Sequence, residues 1–301
     1  MRRAGIVVAG AGPAGVAAAA QCARLGIVPL ILERTGRAGG LVGAGHSIEN
    51  YPGLERPLPG PEFARRLEAH LERFGLSVAG ETVTGVEPRD GRWLVVSDAA
   101  ERLAAAVILA VGTAPRPWSV PGAEELRGSA VFDDPRELLA RRTGAGGVLV
   151  VGGGEAAFDY ALSLARAGAE VSILVRGDAP RVTGRLRDLA QADPRIEVET
   201  GVVVAGLEAA PRGVTAVLET ARGVERRAAD AVLTAVGRVG ALEGLLQAPG
   251  HDPGGVERAP GLFVCGDARL GALGQAGIAV GDGLAAATAA VARVRELGSG
   301  C

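Results

Sequence analysis

The residues of this chain that are spaced to do chemistry fall in two glycine-rich runs and the polar positions that follow them. Gly10-Ala11-Gly12-Pro13-Ala14-Gly15 is a complete G-x-G-x-x-G, and Gly152-Gly153-Gly154-Glu155-Ala156-Ala157 repeats it with alanine in the third place. In such a run the first glycine permits a tight turn and the second lets backbone approach a pyrophosphate. The third lets the following helix pack closely on a strand. Free N–H groups at the helix start then hold phosphate oxygens. Eighteen residues after Gly15 stands Glu33, where a carboxylate can accept the hydroxyls of a ribose. The matching position of the second run is Val175, followed by Arg176 and, five residues on, Arg181. With no carboxylate there, nothing repels a ribose 2′-phosphate, and a guanidinium can grip one bidentately. The first site therefore reads as one for an adenosine ribose without 2′-phosphate, and the second as NADP-preferring. A solvated loop edge is the plainer alternative for the two arginines, and the helix dipole alone would account for Glu155.

The elements that must position these residues come from a duplication. Residues 5–36 align without a gap to residues 147–178, 142 positions later. Each copy reads as a buried β-branched strand, a glycine turn, a helix of small residues, a glycine and a second strand. Continuous apolar strands alternating with helices predict a parallel sheet covered on both faces.

Composition narrows the chemistry. The chain has 301 residues, 32 basic against 34 acidic, and a formal charge of −2, which gives no reason to expect a nucleic acid or an anionic membrane as partner. All the basic residues are arginine, so Schiff-base chemistry and a P-loop lysine are excluded. Cys22, Cys265 and Cys301 are widely spaced, form no C-x-x-C and suggest no metal cluster. Cytoplasmic residence is the expectation. The Met-Arg-Arg start followed by apolar residues is superficially like a signal peptide, but glycines interrupt it and it runs into the first nucleotide turn. The apolar runs are expected to be too short or too glycine-rich to span a bilayer.

Four stretches together resemble the low-molecular-weight thioredoxin reductase family of pyridine nucleotide-dependent flavoproteins. They are GAGPAG with Glu33, Gly39-Gly40 and Glu49-Asn50-Tyr51-Pro52-Gly53; the run Val107 to Pro115; GGGEAAFDYAL with its downstream arginines; and Gly261 to Asp267 followed by Gln275-Ala276 and the small-residue run Gly277–Ala290. They occur in the family's order over almost the whole chain. The resemblance implies an α/β fold of two Rossmann-like dinucleotide-binding domains, each of three layers (ββα). An NAD(P)H domain of residues 118–232 would be inserted in a discontinuous FAD domain of residues 1–114 and 235–301. To FAD it assigns Gly10, Gly12, Pro13, Ala14, Gly15, Glu33 and Arg34. It adds Gly39, Gly40, Leu41, His46 and Asn50, then Val83, Ala110, Val111 and Gly112, and at the C-terminal end Gly266, Asp267, Gly274, Gln275 and Ala276. In the family the Gly-Asp turn reaches the ribityl and pyrophosphate region, and the helix after Gln-Ala points its N-terminus at the flavin ring. To NADPH fall Gly152, Gly154, Glu155, Ala156, Arg176, Arg181 and Gly237. A homodimer is implied by the family alone.

One family feature is missing. Thioredoxin reductases carry C-x-x-C just before the second nucleotide fold, where this chain has Ala130-Val131-Phe132-Asp133-Asp134-Pro135. That segment looks more like the ferredoxin/flavodoxin–NADP reductases of thioredoxin-reductase type, although the C-terminal extension of those enzymes is lacking; a second branch without the cysteines reduces small-thiol disulfides. Cys22 and Cys265 read as core residues, while Cys301, the last residue, could act in trans. His46 is a proton-donor candidate near neutral pH or a solvated loop histidine. Asp133 and Asp134 could shuttle protons, guide a partner, or cap the helix beginning near Pro135. The expectation is an FAD-dependent NADPH oxidoreductase serving an external acceptor: a ferredoxin or flavodoxin, a small disulfide, or a quinone-like molecule. The alternatives are a flavin oxidase that uses oxygen on a small substrate such as a dithiol, and a non-catalytic flavin-binding redox sensor.

Overall fold

The computed structural model describes residues 2–141, 146–182, 184–246, 257–271 and 274–298. Contacts divide the chain into two units: Met1–Gly43, Ile48–Ala114 and Arg238–Cys301 form the first, and Ala44–Ser47 with Pro115–Gly237 the second. The chain opens with β1 (Arg2–Ala9), in which Ile6, Val7, Val8 and Ala9 are fully buried. A strand apolar on both faces belongs in the middle of a covered sheet. The glycine turn leads into α1 (Pro13–Arg24), buried from Ala14 to Ala20, and then β2 (Leu30–Glu33). A 3-10 turn at Gly40–Ala44 is followed by α2 (Gly60–Arg73) and β3 (Val78–Gly80). Next come β4 (Val83–Arg89), β5 (Arg92–Ser97), β6 (Glu101–Leu109) and the short β7 (Thr113–Pro115).

The second unit contains β8 (Val131–Phe132), α3 (Pro135–Arg141), β9 (Gly147–Val151), α4 (Glu155–Arg166) and β10 (Glu170–Val175). It continues with α5 (Arg185–Ala192), β11 (Ile196–Thr200), β12 (Val203–Ala209), β13 (Val214–Thr220), β14 (Gly223–Ala229) and β15 (Ala231–Thr234). The chain re-enters the first unit as β16 (Arg238–Gly240), β17 (Glu257–Ala259), β18 (Leu262–Val264), α6 (Asp267–Leu270) and α7 (Ala276–Gly298).

In the first unit the strand order is β17-β18-β6-β1-β2-β3. β18, β6, β1, β2 and β3 are parallel, and β4, β5 and β6 form an antiparallel meander on the same sheet. The chain winds outward from β1 through β2 and β3, then returns to the other side of β1. Strand order thus reverses at β1, the place where an open α/β sheet leaves a crevice outside the carboxyl ends of its strands. Ala9 lies opposite Leu32 and Leu109, and Leu109 opposite Val264, so four strands end level on that edge. The second unit repeats the plan with the all-parallel order β11-β10-β9-β15-β8 and its reversal at β9.

Each sheet is sandwiched. One face of the first packs on α1, α2 and α7 through Ala18, Ala19, Leu71, Ala286 and Ala290. A separate cluster gathers Trp93 and Val95 of the meander with Leu109 and Val264. In the second unit Leu149, Leu174 and Val232 meet Val204, Leu207 and Leu218 of the antiparallel β12–β14 sheet. The result is a two-domain Rossmann-like α/β fold. Arg102, only 6% exposed, is held bidentately by Glu81, whose carboxylate also accepts the Ser97 hydroxyl, tying the meander to the start of β6. Contrary to the expectation from apolar run length, α7 is long and apolar enough to cross a membrane by length and composition. It reaches 23 residues because its glycines are absorbed into a helix. Its buried residues, Ala279, Ala286, Ala287, Ala290 and Val291, pack in the core of the first unit beside α1.

Candidate functional site

The glycine turn after β1 is built by contacts that leave no room for side chains. Gly10 has φ +100°, and a Cβ there would lie 2.3 Å from the Ala110 carbonyl oxygen; one on Gly15 would lie 1.9 Å from the oxygen of Gly10. Gly12 differs, because a Cβ on it would meet only the Gly40 Cα, at 4.0 Å. The first and third glycines close the turn and the second faces the Gly39-Gly40 segment, where the Gly39 N–H donates to Ala11 at 2.8 Å. No side chain caps α1, whose N-cap is Gly12. Its first-turn N–H groups therefore suit an anion. Glu33 ends β2 beside this turn, accepting the Ala11 N–H at 3.1 Å with one oxygen and facing Thr35 with the other. Arg34 follows it into solvent.

Strand register brings the remaining candidates of the first unit to the same edge. Ala110 bonds back to Ala9, and Gly112 accepts from the Ala241 N–H at 3.0 Å. Val83 begins the meander three residues after Gly80, which pairs with Glu33 at the end of β2. Asp267 starts α6 after Gly266, whose φ is +68°. Burial raises the pKa of the Asp267 carboxyl, and the nearby Arg238 opposes that rise. Its carboxylate accepts no hydrogen bond among the described residues, and a Cβ on Gly274 would sit 2.9 Å from its Oδ2. A half-buried acceptor without a donor is suited to a ligand hydroxyl. At the start of α7, Asn50 Nδ2 donates to Gln275 Oε1, joining two candidates 225 residues apart in sequence. The open second glycine, the uncapped helix and the unmatched Asp267 fit the pyrophosphate and polyol of a flavin dinucleotide.

The second unit repeats the turn with different furniture. Gly152 has φ +151°, and a Cβ there would lie 2.4 Å from the Ala235 oxygen, whereas Gly154 faces open space. Gly154 is the N-cap of α4 and leaves it uncapped, with Glu155 and Ala156 exposed in the first turn. Val151 lies level with Leu174 and Thr234, so Arg176 and Gly237 follow strands that end on this edge. The Arg181 N–H donates to the Gly153 oxygen at 2.6 Å, which pins the arginine loop to the glycine turn. Neither the Arg176 nor the Arg181 guanidinium has an ion-pair partner among the described residues, and both are exposed. A groove lined by Glu170, Arg195 and Arg227 lies at the opposite, N-terminal end of β9 and β10 and holds none of these residues.

A family model described as pyridine nucleotide-disulphide oxidoreductase matches residues 4–292. This chain belongs to that family. Among its relatives, the thioredoxin reductase of Treponema pallidum is 29% identical over 307 residues, 97% of each chain. The thioredoxin reductase of Streptomyces clavuligerus is 30% identical over 260 residues, covering 82% of this chain and 74% of that one. The crystal structure of Lactococcus lactis thioredoxin reductase is similar with a TM-score of 0.86 at 29% identity, over 97% of this chain and 99% of that one. The protein is an FAD-dependent NAD(P)H oxidoreductase of thioredoxin-reductase-like type.

Within this oxidoreductase the segment without cysteines is occupied by structural side chains. Phe132 is 2% exposed, with the Arg141 guanidinium 5.8 Å from its ring centre. Asp133 pairs with Arg127 at 3.1 Å. Asp134 accepts the Arg136 N–H at 2.8 Å at the start of α3 and also binds the Arg136 guanidinium, so it serves as a cap. Cys22 and Cys265 are fully buried; burial pushes the Cys22 thiol up to about 12 and raises Cys265 as well. Both thiols therefore stay protonated and unreactive. Cys301 and His251 lie outside the described residues. His70 is exposed on α2, edge-on to Phe74.

His46 falls by its contacts in the second unit. Its N–H donates to the Asp159 carboxylate at 3.0 Å, and Arg166 of α4 contacts its carbonyl oxygen and its Nε2 at 3.1 and 2.9 Å. Sequence reading missed Asp282, Arg269 and Arg238. Asp282 alone carried a signal, as the one acid in the apolar stretch 276–292 of α7. Arg238, which donates to Thr113 Oγ1 and to the Thr113 oxygen at 2.8 Å, carried none.

Proposed function

We propose that this oxidoreductase takes reducing equivalents from NADPH at the second-unit edge and delivers them, by way of FAD held on the first-unit edge, to an acceptor outside the chain. The observation that carries this reading is the pair of glycine turns with opposite ribose chemistry, Glu33 in one and Arg176 with Arg181 in the other, in a chain with no C-x-x-C. When bound, FAD supplies the hydride and electron chemistry; the protein supplies binding and orientation. Gly12 and the start of α1 would receive its pyrophosphate, Glu33 its adenosine ribose, and Asp267 a ribityl hydroxyl. The start of α7 beside Asn50 and Gln275 would favour negative charge on the reduced ring. Gly154 and the start of α4 would hold the pyrophosphate of NADPH and the two arginines its 2′-phosphate. With Cys22 and Cys265 buried, no described thiol is available to relay electrons, so a soluble disulfide, a small redox protein or a quinone-like molecule must meet the flavin directly. The working unit in this reading is a cytoplasmic homodimer.

Anaerobic titration of the FAD-loaded protein with NADPH and NADH, followed by addition of each acceptor class, tests this. Rapid bleaching by NADPH and reoxidation by one class is expected. Bleaching by NADH at the same rate would refute the role given to the arginines, and absence of bleaching would turn the reading toward an oxidase.

A further inference from the structure

The Gly281-Asp282-Gly283 triplet of α7 lies where two parts of the first-unit edge converge. Asp282 is 9% exposed in a helix whose other buried residues are alanine, glycine and valine. Burying a carboxylate in such surroundings is costly unless it is paired and hydrogen-bonded. Its Oδ2 accepts the Gly266 N–H at 2.8 Å and the Arg269 Nε–H at 3.1 Å, while Oδ1 accepts from Arg269 Nη2. The main-chain bond goes to the residue immediately before Asp267. Both glycines of the arrangement press on Ala14, inside the first nucleotide turn. A Cβ on Gly266 would come within 2.7 Å of the Ala14 Cβ, and one on Gly283 within 2.1 Å of the Ala14 oxygen. The φ of +68° at Gly266 is a conformation that a charge-assisted bond to its N–H holds in place.

We infer that Asp282 and Arg269 are positioning residues that preset the Gly266-Asp267 turn against the start of α1, so that the two FAD-contacting turns are locked to each other before the flavin arrives. This rests on the FAD reading above. The buried pair acts through Gly266: it fixes the turn, the turn fixes the direction of the Asp267 carboxylate, and the preset site forgoes an ordering cost on binding.

The test is titration of full-length apoprotein with FAD, following the dissociation constant and the visible flavin spectrum, alongside thermal unfolding of the apoprotein. Asp282→Asn, which keeps an acceptor for Gly266 but loses the ion pair, should weaken FAD binding about tenfold, and Asp282→Ala more. Arg269→Gln should match Asp282→Asn, and Arg269→Lys, which keeps the charge, should recover most of the affinity. A spectral shift of the bound flavin should accompany the loss, which a merely stabilising role would not produce. Folded Asp282→Asn or Arg269→Gln protein that binds FAD with wild-type affinity and spectrum overturns the inference. If the Asp282 variants fail to fold, the Arg269 pair decides alone. Wild-type apoprotein that takes up no FAD would instead sink the underlying reading.

Discussion

Glu33 and Val175 occupy the same place in the two copies, and in the proposed function the exchange of a carboxylate for an apolar residue followed by arginine sets which ribose each turn accepts. Arg181 is the better placed of the two arginines, because its own N–H is bonded to Gly153. Replacing Arg181 with alanine would remove the proposed charge-assisted contact to the 2′-phosphate while leaving its main-chain bond to the turn. KM for NADPH should rise about 10- to 100-fold, with KM for NADH changed by less than about twofold, as steady-state kinetics with both nucleotides would show. Asp159 makes a different prediction. Burial raises its pKa from 3.8 to about 6, only partly offset by the His46 N–H and by Arg166. Between those values the folded protein holds a proton that the unfolded chain has released. The cost of the buried charge is therefore absent below about pH 4 and complete above about pH 6, where it reaches roughly 3 kcal/mol. Asp159→Asn, which cannot ionise, should gain stability relative to wild type as pH rises from 4.5 to 7 in thermal denaturation. A difference in Tm that stays constant over that interval would contradict the assignment.

At the level of elements, α1 and α7 approach closely enough for backbone to touch backbone, and glycine is what permits it. A Cβ on Gly283 would stand 2.1 Å from the Ala14 carbonyl oxygen, an atom that cannot move without shifting the whole first turn of α1. Gly283→Ala should therefore destabilise the apoprotein by about 3 kcal/mol in urea unfolding and weaken FAD retention with it. Gly277→Ala, on the same helix, meets nothing nearer than 4.0 Å and serves as the control. The strand–turn–helix–strand units were legible because their signals are local: β-branched runs, glycines at fixed offsets and a small-residue helix all fall within about 30 residues. Asp282 was not singled out because its partners, Gly266 and Arg269, belong to a different element, and only packing brings them to α7.

For the whole molecule, the missing C-x-x-C and the two buried thiols lead to one expectation about electron flow. A variant with Cys22, Cys265 and Cys301 all replaced by alanine should fold and retain NADPH-driven reduction of its acceptor within about twofold, since the proposed path runs through no described thiol. Loss of acceptor turnover with flavin reduction by NADPH intact would reveal a thiol relay. Asp133 and Asp134, candidates for proton traffic or for a helix cap from sequence, pair with Arg127 and with the start of α3.

Sequence alone determined that two related nucleotide-gripping turns stand 142 residues apart, that the first carries an acid and the second arginines, and that the internal dithiol is absent. Each of these is a property of short stretches of chain, governed by backbone conformation and side-chain type. Tertiary structure decided which stretches share an edge. Strand register set Gly10, Glu33 and Ala110 level, packing of α7 brought Asp282 to Gly266 and Gln275 to Asn50, and the fold set His46 against Asp159 and Arg166 of α4. Such pairings depend on burial and long-range closure, whose energies are shared by the whole core and are written in no single segment.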